Sequence, residues 1–475
     1  MSEDGGGTLL DRTLRNVAQA WRDIAASAVN AVAGSAEPDP DLPESAAKRI
    51  EAQMRACLAA RGGEVSARAR AATLGQTYLV LNPVGRRRFL HILARDFDVD
   101  SDVVAAAVTA FREAADEAAR RQAEVALRRA LEPPRMRLLT QFNDLPQGVK
   151  FLVDLRADLM PFAHRDPDLA RLEADLKALL ASWFDVGFLE LRRITWDSPA
   201  LLLEKLIAYE AVHEIRSWNE LKDRLDSDRR CFAFFHPSMP REPLIFVEVA
   251  LVNGLADNIQ GLLDRAGPAK SARTADTAIF YSISNAQRGL AGISFGGFLI
   301  KRVVDRLAGE VKGLRTFATL SPAPGFCAWL GACLADADAQ ALLSPGEWRT
   351  LAELSEPIAD PDGFAAALSR GHWSQHADAA KALRAPLLRL FGRYLLGAKR
   401  PDGKALDPVA HFHLSNGARI ERVNWLADIS AHGLKQSAGI MVNYLYRLED
   451  IERNHEAYTD DGTIAAAAVR TLARK

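Results

Sequence analysis

Four places in this chain bring together residue types that can do chemistry. The first is Ser321, in the run Leu320-Ser321-Pro322-Ala323-Pro324-Gly325-Phe326. Two prolines hold the backbone extended and rigid just beyond that hydroxyl. On patterning alone the serine reads either as a group held for reaction or as a strand-end hydroxyl capping a turn. The second is the glycine-rich stretch Gly289, Gly292, Gly296 and Gly297, between a β-rich run (Ala278 to Ser284) and an amphipathic segment in which Leu299, Ile300, Val303, Val304 and Leu307 recur at helical spacing. Glycines let backbone N–H groups approach a ligand, and a helix N-terminus carries about half a positive charge, so this loop suits a phosphate or pyrophosphate. The third and fourth are two histidine pairs, His372 with His376 and His411 with His413. The first pair lacks the glutamate of a metalloprotease helix and reads as exposed histidines. The second, on a stretch with strand character, would put both imidazoles on one strand face. With no Cys, Asp or Glu at ligand spacing, one catalytic imidazole beside a structural one is the better reading, and no metal site is expected.

Gly292-Ile293-Ser294-Phe295-Gly296 also matches the G-x-S-x-G turn of α/β-hydrolases. There the strand runs directly into the motif. Here the polar Asn285 to Gly289 intervenes, which favours a phosphate-facing loop over a strained serine turn.

The elements that must position these groups fall into two parts. Residues 1–185 read as an all-helical domain, structural or for assembly, in which Leu10, Leu14, Val17, Trp21 and Ile24 form a packing seam. Further helices are expected over Ala46 to Ala60, Arg86 to Phe97, Asp102 to Leu131 and Asp168 to Trp183. Arg86-Arg87-Arg88 and the charged run Arg112 to Arg129 have interleaved acids and suit solvated helix faces. Residues 186–475 alternate. Strands are expected over Leu189 to Trp196, Cys231 to Phe235, Leu244 to Leu251, Ala278 to Ser284, Leu314 to Leu320, around His411 to Leu414, and over Arg419 to Trp425. Helices are expected near Pro199 to Glu210, Trp218 to Leu225 and Leu255 to Asp264, and over most of the chain from Phe326 to Gly397. The fold class is α+β.

At 475 residues two or more domains are expected, and a net charge of -1 gives no electrostatic footprint for nucleic acid. No apolar run reaches membrane-spanning length, the acidic and glycine-rich start is unlike a signal peptide, and four scattered cysteines make no disulfide framework. A reducing cytoplasm is the expected compartment.

The runs AIFYSIS, GLAGISFGGFLIKRVV, LSPAPGF and DPVAHFHL, followed by NGA and RVNWLADIS, resemble the malonyl-CoA decarboxylase family, and the likeness covers nearly all of the chain from about Leu189 onward. That resemblance implies a helical bundle joined to a catalytic domain of the GNAT-type N-acetyltransferase fold, a homotetramer, and conversion of malonyl-CoA to acetyl-CoA and CO2 with no metal or organic cofactor. It places the family's CoA-binding segment on Ala291, Gly292, Ile293, Ser294, Phe295, Gly296 and Gly297, its catalytic serine on Ser321 and its catalytic histidine on His413. Loss of CO2 leaves a thioester enolate, so a site must stabilise charge on the thioester oxygen and then protonate carbon. Ser321 is expected to hydrogen-bond the departing carboxylate or relay a proton, and His413, with a pKa near neutrality, to supply it. Arg288, Lys301 or Arg302 are possible partners for the phosphates. An acyltransferase of the same fold, or a non-catalytic acyl-CoA-binding protein, would keep the loop; the first needs an acceptor site and the second needs neither Ser321 nor His413.

Overall fold

A computed structural model of the chain describes residues 21, 24, 39–59, 63–184, 186–263, 272–293, 299–460 and 462–473. Leu10, Leu14 and Val17 of the expected first seam lie outside the described residues, as do Ser294, Phe295, Gly296 and Gly297 of the glycine stretch. The chain resolves into two compact units.

The first unit takes the described residues up to Glu190 together with Phe235–Leu244 and the described part of Asn285–Ser294. It is helical over Glu44–Leu58, Gly63–Val80, Pro83–Arg95, Ser101–Arg112, Glu117–Ala130, Pro134–Asn143, Gly148–Ala163 and Pro167–Trp183. Leu169, Leu172, Leu176 and Leu180 form the buried stripe of the last helix, at spacings of three and four. Trp21 is buried against Phe142 and Phe151, and its indole N–H donates to the Pro146 carbonyl at 2.8 Å. The single helix expected over Asp102 to Leu131 is two. Asp116 adopts an extended backbone and its carboxylate accepts from Ala119 N at 2.7 Å, so a capping aspartate starts a second helix inside a continuous charged pattern. The charges there are exposed i,i+4 pairs such as Glu117 with Arg121.

The second unit, Leu191–Phe234, Ile245–Ser284 and the described part of Phe295–Lys475, holds most of an eight-stranded sheet. Its strands are β1 (Glu190–Ile194), β2 (Arg229–His236), β3 (Met239–Val252), β4 (Thr277–Asn285), β5 (Thr316–Thr319), β6 (Ser321–Pro322), β7 (Arg419–Asn424) and β8 (Met441–Tyr446). They run in the order β1-β2-β3-β4-β5-β8-β6, with β7 also on β8. β4 and β5 are parallel, from Thr277 opposite Thr316 to Phe280 opposite Thr319. The amphipathic helix Leu299–Glu310 joins them, as a crossover between parallel strands requires. Leu320 N still donates to the Phe280 carbonyl at 3.0 Å. At Ser321 the pairing with β4 has ended, while the antiparallel pairing with β8 continues in the register of β5, Phe317 opposite Tyr446 and Ser321 opposite Val442. β4 and the chain at Ser321 therefore part company where the hydroxyl sits. Of the helix expected over Leu255 to Asp264, whose last residue lies outside the described residues, Gln260–Leu263 is helical; it starts late because Ile259 N donates to Ala427 O and the Asn258 side chain caps Gly261.

The main correction concerns His411 and His413. They lie on a helix, Pro408–Ser415, and not on a strand. Asp407 accepts from Val409 N at 3.0 Å and Ala410 N at 2.9 Å, and Pro408 occupies the first turn, where its missing N–H costs nothing. Successive residues turn about 100° on a helix, so residues two apart face roughly opposite ways.

Candidate active site

Ser321 and His413, 92 positions apart, meet in the second unit: Ser321 Oγ lies 3.1 Å from His413 Nε2. Both are buried, at 7% and 2% exposure. The start of β6 supplies the serine and the Pro408–Ser415 helix supplies the histidine. Asp407 ties the two together. One of its oxygens caps the helix, while the other accepts from Tyr394 Oη at 3.0 Å and from Gly325 N at 3.3 Å. Gly325 closes the Ser-Pro-Ala-Pro-Gly run, so one carboxylate fixes the end of the serine's run and the start of the histidine's helix. A methyl group at Gly325 would lie 2.2 Å from Tyr394 Oη, which is why the run ends in glycine.

The other imidazole nitrogen, Nδ1, lies 2.8 Å from Tyr446 Oη, and the ring stacks on Tyr444 at 4.6 Å between centroids. Ser321 Oγ donates to Thr319 Oγ1 at 2.9 Å, which also accepts from Tyr444 N. No motif in the sequence marks Tyr446, Tyr444 or Thr319. Their signal is period-two alternation: Val442, Tyr444 and Tyr446 share one face of β8, the face that carries Thr319 and Ser321 across the pairing.

Burial, with no carboxylate to offset it, holds the His413 pKa down at about 3. The imidazole is therefore neutral at working pH, not poised near neutrality. A neutral ring has one N–H and one bare nitrogen. Either Nε2–H points to Ser321 while Nδ1 accepts from Tyr446, or the roles reverse, and Tyr446–His413–Ser321 can pass a proton by exchanging tautomers. His411, on the opposite side of the same helix, has its Nδ1 2.9 Å from Tyr458 Oη. The paired imidazoles do not converge.

In the first unit, Gly289, Ala291, Gly292 and Ile293 are described. Gly289 is a packing glycine, because a methyl there would come 1.7 Å from the Val153 carbonyl; Arg156 also donates to its carbonyl at 2.5 Å. Gly292 has φ of +72°, which only glycine adopts readily, and a methyl there would lie 3.3 Å from Lys177 Nζ. Lys177, on the Pro167–Trp183 helix, is thus a cation beside the loop that sequence spacing could not point to. In the second unit a cavity of about 540 Å³ has a wall of mixed charge, Glu210, Glu214 and Asp428 with Arg216, Arg224 and Arg229 among others, and neither Ser321 nor His413 lines it. No described helix is long and apolar enough to cross a membrane.

The malonyl-CoA decarboxylase C-terminal domain family matches residues 187–475, and the corresponding N-terminal domain family matches residues 97–184. The chain belongs to the malonyl-CoA decarboxylase family. The mitochondrial malonyl-CoA decarboxylase of Rattus norvegicus is 40% identical over 397 residues, 80% of each chain. That of Mus musculus is 41% identical over 398 residues, again 80% of each. Crystal structures of malonyl-CoA decarboxylases superpose closely. The one from Rhodopseudomonas palustris gives a TM-score of 0.82 at 43% identity, covering 90% of this chain and 99% of that one. The one from Agrobacterium vitis gives 0.80 at 42%, covering 90% and 100%. Malonyl-CoA decarboxylase relatives thus span both the helical part and the sheet, as the opening sequence resemblance led one to expect.

Proposed function

We propose that this chain decarboxylates malonyl-CoA to acetyl-CoA and CO2, with Ser321 and His413 as catalytic residues. The observation that carries this reading is the hydrogen-bonded line Ser321–His413–Tyr446, closed off from bulk water and free of any fixed charge, in a member of this family.

The chemistry follows from the charge balance. The C–C bond to the carboxylate breaks, its electron pair passes into the thioester as an enolate, and CO2 leaves. The enolate carbon then takes one proton. A buried, neutral site favours loss of the carboxylate's charge and gives hydrogen bonds to the enolate oxygen more weight than water would. Ser321 O–H delivers the proton or holds the enolate oxygen. His413 Nε2–H reloads Ser321 while Nδ1 accepts from Tyr446, so no imidazolium need form. Water restores the proton once product has left. The thioester is itself the electron sink.

The backbone of Ala291, Gly292 and Ile293, continuing through Ser294, Phe295, Gly296 and Gly297, is the proposed phosphate-binding segment, with Lys177 as the cation beside its first turn. The parallel β4–β5 pair parting at Ser321 fits the acyl-CoA fork of a GNAT-type acetyltransferase domain. We place the boundary between a structural domain 1–185 and a catalytic domain 186–475, and take the assembly to be a homotetramer. The four cysteine thiols are free, consistent with a reducing compartment, and we assign the cytoplasm. The relatives named mitochondrial make fractionation the check on that assignment.

The deciding experiment supplies malonyl-CoA with no acyl acceptor present. Stoichiometric acetyl-CoA and CO2 from the wild type, lost in folded Ser321→Ala, is the expected result. Absence of CO2 from folded wild type would leave an acyltransferase or a binding protein.

A further inference from the structure

The turn Arg288–Leu290, which leads into the proposed phosphate-binding segment, lies against the helix Gly148–Ala163 within the first unit. Two residues one turn apart on that helix hold it. The Val153 carbonyl leaves no room for a side chain at Gly289, and Arg156 Nη1 donates to the Gly289 carbonyl at 2.5 Å. Arg156 is 2% exposed, so its charge has to be paired where it stands. Glu173, on the Pro167–Trp183 helix, pairs it: one carboxylate oxygen accepts from Nε at 3.0 Å and from Nη2 at 2.6 Å. The planar guanidinium is thereby turned so that its remaining nitrogen, Nη1, meets the glycine stretch. Lys177 follows Glu173 by four residues and so shares its helix face, beside Gly292.

Another guanidinium in this unit is buried in the same manner but meets no part of the loop. Arg135, also 2% exposed, donates to Asp175 at 2.7 Å and to the Ala94 carbonyl at 2.9 Å, and pairs with Asp98 at 3.0 Å. There the carbonyl belongs to a helix, and the charge ties helix to helix. At Arg156 the carbonyl belongs to the glycine stretch. We propose that Arg156, held by Glu173, is a positioning residue for coenzyme A binding: it fixes the turn that precedes Ala291 to Gly297, so that the turn is ordered before the ligand arrives. The inference rests on reading that segment as the phosphate-binding loop, and it gives the helical residues a part in substrate binding besides structure. Ordering the turn in advance lowers the cost of binding and leaves the chemical step alone. The effect therefore falls on affinity and KM and not on kcat.

Coenzyme A is titrated calorimetrically into the full-length protein, with malonyl-CoA kinetics run beside it. Arg156→Met keeps most of the buried stem and removes the guanidinium. It should weaken coenzyme A by about 10-fold and raise KM to match, with kcat within about 2-fold of wild type. Arg156→Lys restores the charge without the fork and should recover part of the loss. Arg135→Met is the matched control, and should lose as much stability in a denaturant melt yet keep coenzyme A affinity within about 2-fold. Should Arg156→Met fail to fold, Glu173→Gln, at a partly exposed carboxylate, serves in its place, with an expected weakening of about 3-fold. Unchanged affinity in folded Arg156→Met, or in Glu173→Gln where only that variant folds, overturns the proposal. An equal loss in Arg135→Met overturns it too, as an effect of general stability, and so does a fall in kcat at unchanged KM. Wild type that binds no coenzyme A would remove the phosphate-loop reading, and this inference with it.

Discussion

Two histidines on one short helix make opposite uses of nearly the same surroundings. His411 and His413 each place Nδ1 within 3 Å of a tyrosine hydroxyl, Tyr458 for the first at 2.9 Å and Tyr446 for the second at 2.8 Å. The difference lies at the other nitrogen. His413 Nε2 meets Ser321 Oγ in a fully buried setting, while His411 stays half-buried among Arg400, Asp402 and Lys404. Burial lowers both pKa values, but for His411 the neighbouring cations add to it, whereas for His413 burial is the whole cause. A histidine–tyrosine pair is therefore a common way of satisfying a ring nitrogen. What turns one such pair into a candidate for chemistry is the hydroxyl on its far side.

The sharpest way to break this comparison is to remove each ring. His413→Asn and Ser321→Ala should each lower kcat by about 100-fold or more with KM little changed, the scale of a lost general acid or charge-stabilising donor. His411→Asn should stay within about 2-fold. The double variant of Ser321 and His413 should fall well short of the product of the single losses, because both act on one proton path. Steady-state kinetics on protein shown by circular dichroism to be folded decides it; equal losses at His411 and His413 would dissolve the distinction.

The tyrosines test the same contrast at smaller scale. Tyr446→Phe should cost about 10-fold in kcat, since His413 keeps its stacking on Tyr444 but loses the partner that sets its tautomer. Tyr458 Oη also accepts from Ala405 N at 3.0 Å, so Tyr458→Phe should leave kcat unchanged and lower stability by about 1 kcal/mol. Denaturant melts alongside kinetics separate the two. An activity loss at Tyr458 matching that at Tyr446 would show that the outer pair also serves the reaction.

Asp407 sets which way both rings point. Its carboxyl pKa is raised by burial, partly offset by the bonds from Ala410 N, Tyr394 and Gly325 N. Asp407→Ala removes the cap and the link to Gly325 together, and should cost about 1–3 kcal/mol of stability and several-fold in kcat. Asp407→Asn keeps an oxygen for the cap and should recover most of the stability. If Asn restored stability yet left kcat at the Ala level, Asp407 would be doing more than positioning.

How much of this could be read beforehand differs by element. β4, the helix Leu299–Glu310 and β5 are legible because short β-rich runs and a clean helical stripe follow one another with glycines between. Ser321 stands out because prolines punctuate it. His413 is named on resemblance, and its secondary structure is misread: His-Phe-His-Leu has strand-like composition, but Asp407-Pro408 is a helix start, and local capping outweighs weak strand propensity. On a strand the two histidines would share a face and invite a metal. On a helix they separate. Spacing puts Tyr446 on one face of its strand with Val442 and Tyr444, but nothing in a strand's sequence says which residue on another element its side chain will meet. The break at Asp116 was hidden for the opposite reason, because the charged pattern continues unbroken across a capping residue that carries the same kind of side chain.

The last expected effect is on stability and not on rate, and comes from the protonation of His413 itself. An unperturbed histidine titrates at 6.5, and burial brings His413 to about 3 in the folded protein. Between those two values the unfolded chain binds a proton at this position that the native site refuses, so stability rises with pH across that window. The contribution is fully present above about pH 6.5 and is lost progressively as the pH falls towards 3, at up to about 1.4 kcal/mol per pH unit. His213, held down to about 4 mainly by burial, acts in the same direction, so the wild-type slope alone cannot be assigned. The variant supplies the difference. His413→Asn should be less stable than wild type at pH 7, but its loss of stability from pH 6.5 to 4.5 should be shallower by up to one proton. His411→Asn, whose native ring is only half-buried, should change that slope less. Denaturant unfolding at several pH values measures both. Parallel slopes for wild type and His413→Asn would mean that His413 accepts a proton in the native state, and the tautomer exchange through Tyr446 would then give way to an imidazolium that donates directly.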